Sequence, residues 1–181
     1  MSSLRLQSKG ITKLEFFEDT YQITYISGQV EHHRLEPDLE LLNCSYNELT
    51  ELVGLPASMK ELVCVNNFLK KLELPPGLVL LICTANDLTT LALPVSMKNL
   101  SCGENSLKDL GPLPQGLKYL DCYGNKLTNL GPLPPKLERL DCSNNNITDL
   151  GTLPGNLESL IIIKTAISEL KGLHRGMFIY M

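Results

Sequence analysis

Residues 117–130, Leu117-Lys118-Tyr119-Leu120-Asp121-Cys122-Tyr123-Gly124-Asn125-Lys126-Leu127-Thr128-Asn129-Leu130, spell the pattern LxxLxCxxNxLTxL. The pattern returns along most of the chain. Its cysteine falls at Cys44, Cys64, Cys83, Cys102, Cys122 and Cys142, in steps of 19 or 20 residues. The asparagine keeps the same step at Asn47, Asn67, Asn86, Asn105, Asn125 and Asn145. Two residue types held in phase over six copies mark a tandem repeat, in which each unit buries its apolar face against its neighbours.

The copies open at Leu35, Leu55, Leu74, Leu93, Leu113, Leu133 and Leu153, and every opening leucine except Leu35 is followed by proline. Proline has no N–H to give to a sheet ladder, so these positions cannot be central strand. All eleven prolines fall in this opening segment or beside it, which leaves one short strand per copy, around the LxC positions. In such a strand Leu120 and Cys122 point inward while Tyr119, Asp121 and Tyr123 point outward. Asn125 then turns the chain, its amide bonding backbone groups that no ladder reaches. About 20 residues cannot hold a strand, a full helix and two loops, so the return side is expected to be mostly extended, with little helix. Strands stacked in parallel at about 4.8 Å, with bulkier return segments behind them, curve the stack and make the strand face concave.

Composition narrows the function. A hydrophobic content of 43% suffices for a core, and with 6% aromatics and no Trp that core is aliphatic. A net charge of −4 argues against a nucleic-acid partner, which would need a basic field. No lysine- or arginine-rich run draws the chain to a membrane surface, and no stretch approaches the roughly 18 apolar residues of a span. The N-terminus lacks the apolar run of a cleavable signal peptide. The six cysteines all occupy one buried slot and contain no CxxC pair. They read as reduced core thiols in a reducing compartment, neither disulfides nor zinc ligands. No cofactor or metal is expected.

Residues 35–172 thus form seven repeats, preceded by an N-terminal cap over 1–34 and followed by a partial repeat over 173–181 that acts as a C-terminal cap. The N-terminal segment supports two readings. Leu4, Leu6, Ile11 and Leu14 sit at the offsets of Leu42, Cys44, Leu49 and Leu52, and Ile23, Tyr25, Gly28 and Val30 fit a second faint copy. Alternatively, the β-prone runs 11–17 and 21–27 around Glu18-Asp19 make a hairpin. At the other end Ile162 replaces the cysteine and Thr165 the asparagine, and 173–181 is either a built-in cap or a piece of a longer protein.

The stretches LPQGLKYLDCYGNKLTNL (113–130) and LPPKLERLDCSNNNITDL (133–150) resemble the leucine-rich repeat family. The short period and recurrent Leu-Pro resemble in particular the repeats of secreted bacterial effectors of the YopM and IpaH type. Cysteine in the strand departs from the apolar residue usual there. The resemblance implies a leucine-rich repeat solenoid, nominally α/β, built as a curved parallel β superhelix. It also implies a non-enzymatic scaffold that binds a host protein on its concave face after secretion, without a cleavable signal, into the host cytosol. The rival reading is the substrate-recognition part of a larger enzyme such as a bacterial ubiquitin ligase, whose catalytic domain is absent from these residues.

Two groups of outward positions are candidate contact sites. Leu41, Val63, Val65, Leu80 and Ile82 form an apolar patch of the kind that marks an interface; the alternative is simple strand preference or cover by the N-terminal segment. Tyr119, Asp121, Tyr123, Arg139 and Asp141 cluster on adjacent copies, and tyrosine and arginine commonly anchor interfaces. A solvated Asp/Arg pair is the plainer account. His32-His33 reads as solvated, because adjacent residues of a strand face opposite ways. Asp121 and Asp141 lack a neighbouring base, so acid–base catalysis has little support. No catalytic residue is assigned. A monomer is expected, with a dimer through the Ile161-Ile162-Ile163 end as the alternative.

Overall fold

The computed structural model describes residues 2–181. A nine-stranded sheet carries the repeats. Its strands are β1 (Ser2–Arg5), β5 (Leu39–Asn43), β7 (Glu61–Val63), β8 (Leu80–Ile82), β9 (Asn99–Ser101), β10 (Tyr119–Asp121), β11 (Arg139–Asp141), β12 (Ser159–Ile161) and β13 (Phe178–Tyr180). All are parallel and stacked in that order. Seven of them, β5 and β7–β12, are the repeat strands, and no helix occurs among the described residues. The described residues form the curved parallel β solenoid, without helix, that the repeats predict.

The register follows the sequence period. Leu120 stands opposite Leu100 on one side and Leu140 on the other, so identical slots meet across every ladder. Leu120, Cys122, Leu127 and Leu130 are buried, and the same four slots are buried in each full repeat from Leu42 to Leu150. Cys122 lies one step past the strand, where the ladder continues: its N–H donates to the carbonyl of Asp141 at 2.8 Å. All six cysteines are free and buried in a row through the core. Burial pushes Cys44 and Cys142 up to about 12, and the thiols between them are driven the same way.

The turn after each strand is built twice over. The residue two places beyond the cysteine takes a left-handed backbone, at Tyr46, Asn66, Ala85, Glu104, Gly124 and Asn144. The following asparagine is buried and joins adjacent repeats. Asn125 Nδ2 donates to the carbonyls of Cys102 (3.0 Å), Cys122 (3.1 Å) and Tyr123 (3.2 Å), while its Oδ1 accepts from Leu107 N–H at 3.0 Å. Three acceptors share two N–H groups, so at least one bond is bifurcated. The return side is irregular and extended until the Leu-Pro step. There the proline carbonyl accepts from the residue three places on, as from Pro114 to Leu117 N–H at 2.9 Å, and this turn feeds the chain back into the next strand.

The N-terminal segment combines features of both readings. β1 joins the repeat sheet with Leu4 opposite Leu42, and Ser8 takes the left-handed backbone that Tyr46 takes one copy on. Beyond it, β2 (Ile11–Phe16), β3 (Thr20–Tyr25) and β4 (Val30–Arg34) form an antiparallel meander. Ile23 and Tyr25 therefore belong to the meander and not to a second copy. A fourth strand, β6 (Glu51–Val53) on the return side of the first repeat, pairs in parallel with β2. Just after β6, Gly54 passes the backbone of Phe16: a Cβ there would sit 2.3 Å from the Phe16 carbonyl oxygen, at φ +73. Only glycine fits that crossing.

Candidate functional site

Alternation along each short strand puts two outward side chains on the sheet face, and stacking lines them up across repeats. A groove of about 630 Å³ crosses that face from β8 to β12. Leu80 and Ile82 form one end, Ser159 and Ile161 the other, and Tyr119, Asp121, Arg139 and Asp141 lie between them. Six of the ten expected contact residues therefore meet in one groove. Leu41 and Val63 continue the same face on β5 and β7, Val65 lies two residues past β7, and all three are half-buried. Tyr123 lies past the end of β10, over Gly103 of the preceding repeat. Asn99 and Ser101 also line the groove; they occupy outward slots, but their small polar side chains gave no signal in the sequence.

Within the groove the polar groups are ordered. Arg139 places its guanidinium carbon 5.4 Å from the centre of the Tyr119 ring, an arrangement worth about 0.5–1 kcal/mol at an exposed site. Tyr119 is 38% exposed, so the stack stands in solvent. Arg139 makes no ion pair with Asp121 or Asp141 among the described residues. The Asp/Arg pair of the plainer reading is not formed.

Asp121 is held differently. Its Oδ2 accepts from Ser101 Oγ at 3.0 Å and its Oδ1 from Tyr123 N–H at 3.3 Å. Because the one hydroxyl proton of Ser101 goes to Asp121, the 3.0 Å contact between Thr84 Oγ1 and Ser101 Oγ has Thr84 as donor. Burial raises the Asp121 carboxyl above its ordinary value, with a smaller push from Asp141; the two hydrogen bonds pull the other way. Asp141 stands directly opposite Asp121 on the next strand and accepts from Ser143 N–H at 3.0 Å.

Three outward slots are not available as contact surface. Ser45 is 2% and Ser143 6% exposed, and each hydroxyl accepts a backbone N–H of the next repeat, from Val65 and Ile163. Gly103 is covered by the Tyr123 ring. These slots lie where the strand has already bent toward the left-handed turn, so simple alternation no longer sets direction.

Elsewhere the candidates stay plain. His32 is exposed, while His33 stacks on Tyr21 with ring centres 5.0 Å apart and meets Glu31 at 3.2 Å. Among the described residues no group of three His, Cys, Asp or Glu side chains is arranged to hold a metal, and no helix is long and apolar enough to cross a membrane.

Comparison with known proteins places this geometry. Residues 136–160 match the family described as Leucine Rich Repeat. Among solved structures, the chain is similar to YopM from Yersinia pestis, described as a leucine-rich effector protein. That match has 31% identity and a TM-score of 0.74, over 79% of this chain and 41% of that one. It is also similar to a Shigella effector LRR domain, at 29% identity and a TM-score of 0.72, over 93% of this chain and 71% of that domain. A third similar structure is the functional domain of InlJ from Listeria monocytogenes, described as including a cysteine ladder. There the identity is 31% and the TM-score 0.73, over 80% of this chain and 34% of that one. The chain thus spans less than half the length of the YopM and InlJ chains. No curated protein sequence matches the chain significantly.

Proposed function

From the premise that this chain is a leucine-rich repeat protein, we infer that it is a non-enzymatic scaffold that binds a protein partner on its concave strand face. The observation that carries this reading is the groove across β8–β12, which gathers the exposed Tyr119–Arg139 stack, Leu80 and Ile82 into one surface. Tyrosine and arginine beside aliphatic side chains are the composition of interface anchors. The core slots, by contrast, are filled by thiols too deeply buried to act as nucleophiles.

The likeness to effector repeat domains supports the cellular setting: the protein acts as a bacterial effector in the host cytosol and recognises a host protein there. Free, buried cysteines fit such a reducing compartment.

The test is affinity capture from host-cell lysate with the wild-type chain and with a Val63→Glu, Tyr123→Ala double variant, whose sites flank the groove. Capture of a defined partner by the wild type and its loss in the double variant, with thermal stability retained, is the expected result. Equal capture by both proteins overturns the concave-face reading.

A further inference from the structure

The floor of the groove holds a charge arrangement that the chain itself leaves unbalanced. Asp121 and Asp141 are register partners on adjacent parallel strands, about 4.8 Å apart in backbone and turned to the same face. Both are half-buried. Among the described residues no lysine or arginine pairs with either of them, and Arg139, in the same groove, lies over Tyr119 instead. Asp141 uses one oxygen for Ser143 N–H, and among the described residues its Oδ2 has no hydrogen-bond partner. Each carboxylate oxygen offers two lone-pair sites, so capacity remains on both residues.

Aliphatic walls flank these carboxylates: Leu80 and Ile82 at one end, Ile161 at the other. The five strands β8–β12 span about 19 Å at the spacing of a parallel sheet. That length takes about six residues of extended chain. A bare metal ion would find too few ligands here and no use for the apolar walls. A guanidinium or ammonium group on an otherwise apolar segment satisfies both parts of the site, the planar fork of arginine being suited to bridge two carboxylates.

We propose that the groove receives an extended partner segment carrying an arginine or lysine flanked by aliphatic residues, with the cation seated between Asp121 and Asp141. This rests on the concave-face reading above and specifies its chemistry. The aliphatic flanks lie on Leu80–Ile82 and on Ile161, and the Tyr119–Arg139 stack borders the cation site.

The experiment is selection of a random 12-residue peptide library displayed on phage against the purified chain. Enriched peptides are then measured as synthetic peptides by calorimetry. Expected are sequences sharing an arginine or lysine between aliphatic residues. Affinity should drop at least tenfold when that arginine is replaced by citrulline, or the lysine by norleucine. An equal drop is expected on the protein side for Asp121→Asn with Asp141→Asn, a nearly isosteric pair whose folding is checked by thermal melting. Two groove-blocking variants, Ile82→Glu and Ser159→Arg, separate the outcomes. Peptides that both variants abolish, but that bind the Asp→Asn protein undiminished, overturn the cation site and leave the concave-face reading intact. A library yielding only peptides insensitive to both variants, or none at all, overturns the two together.

Discussion

The Tyr123 ring occupies the space that a Cβ on Gly103 would need, its Cδ1 and Cε1 standing 2.4 Å from that position. Gly103 has no left-handed backbone to justify it, so the glycine is there for the ring of the next repeat. The pair is a cross-repeat contact in which one residue's absence of side chain positions another's.

Gly103→Ala should therefore push the Tyr123 ring outward and destabilise by about 1 kcal/mol, because an aromatic ring can rotate away where a backbone could not. Tyr123→Ala should remove most of that penalty. A double-mutant cycle by chemical denaturation is expected to return a coupling of about 1 kcal/mol; additive effects would show that the two residues do not meet.

The asparagine spine should be far less forgiving. Asn125→Ala strands the N–H of Leu107 and leaves the carbonyls of Cys102, Cys122 and Tyr123 with fewer donors, in the interior. A loss of about 3 kcal/mol is expected, from the cost of unsatisfied buried groups. Lys126→Ala, on an exposed neighbour, serves as the control and should change the denaturation midpoint little.

Thiol chemistry offers an independent check of the core. With Cys44 and Cys142 pushed up to about 12 and all six buried, none should react with Ellman's reagent at pH 8 within minutes in the folded protein. Six should react at once in guanidinium. Fast labelling of even one thiol in the native chain would place that repeat outside the stack.

Asp121 should leave a signature in pH. Its carboxyl is raised above the ordinary 3.8 chiefly by burial, so the folded chain holds this proton more tightly than the unfolded one. The contribution is favourable below the unfolded value, and it is lost as pH rises from about 4 through the raised folded value. Relative to the wild type, Asp121→Asn should therefore gain melting temperature across that window and hold the gain at neutral pH. A constant difference at every pH would assign the effect to packing instead.

Much of this was legible in the sequence because repetition reports position. The spacing of Leu120, Cys122 and Asn125 gave the register of every strand from β5 to β12, since a slot that recurs each copy must meet itself across the ladder. Even the degenerate first copy could be read from Leu4 and Leu14. What escaped was whatever depended on neighbours distant in sequence or on direction beyond the strand. The pairing of Glu51–Val53 with β2 puts Leu52 opposite Leu14, as their shared slot suggests, but that the return side forms a strand ladder there depends on the meander that β2 belongs to. Ser45 and Ser143 occupy the slot of Tyr123, which alternation turns outward, yet the chain there has begun its left-handed turn and their hydroxyls bond the next repeat. The groove was half visible. Its aromatic, charged and aliphatic members were identifiable by type, whereas Asn99 and Ser101 entered it only through the stacking.

The first repeat carries strand ladders on two sides, with β1 beside its own strand and β2 against β6 on its return side. On the return side later repeats are joined by single backbone bonds, such as Lys126 N–H to the Leu107 carbonyl, and by the isolated Thr152–Lys171 bridge. In a one-dimensional stack, where each unit's stability is borrowed from the next, such a doubly bonded end acts as a clamp. Loss of structure on warming or in denaturant should then travel inward from β13, like a zip whose lower stop is sewn shut. Amide protons near Leu42 and Leu52 would exchange last and those near Leu160 first. The N-terminal meander thereby sets a direction for folding as well as a boundary for the stack.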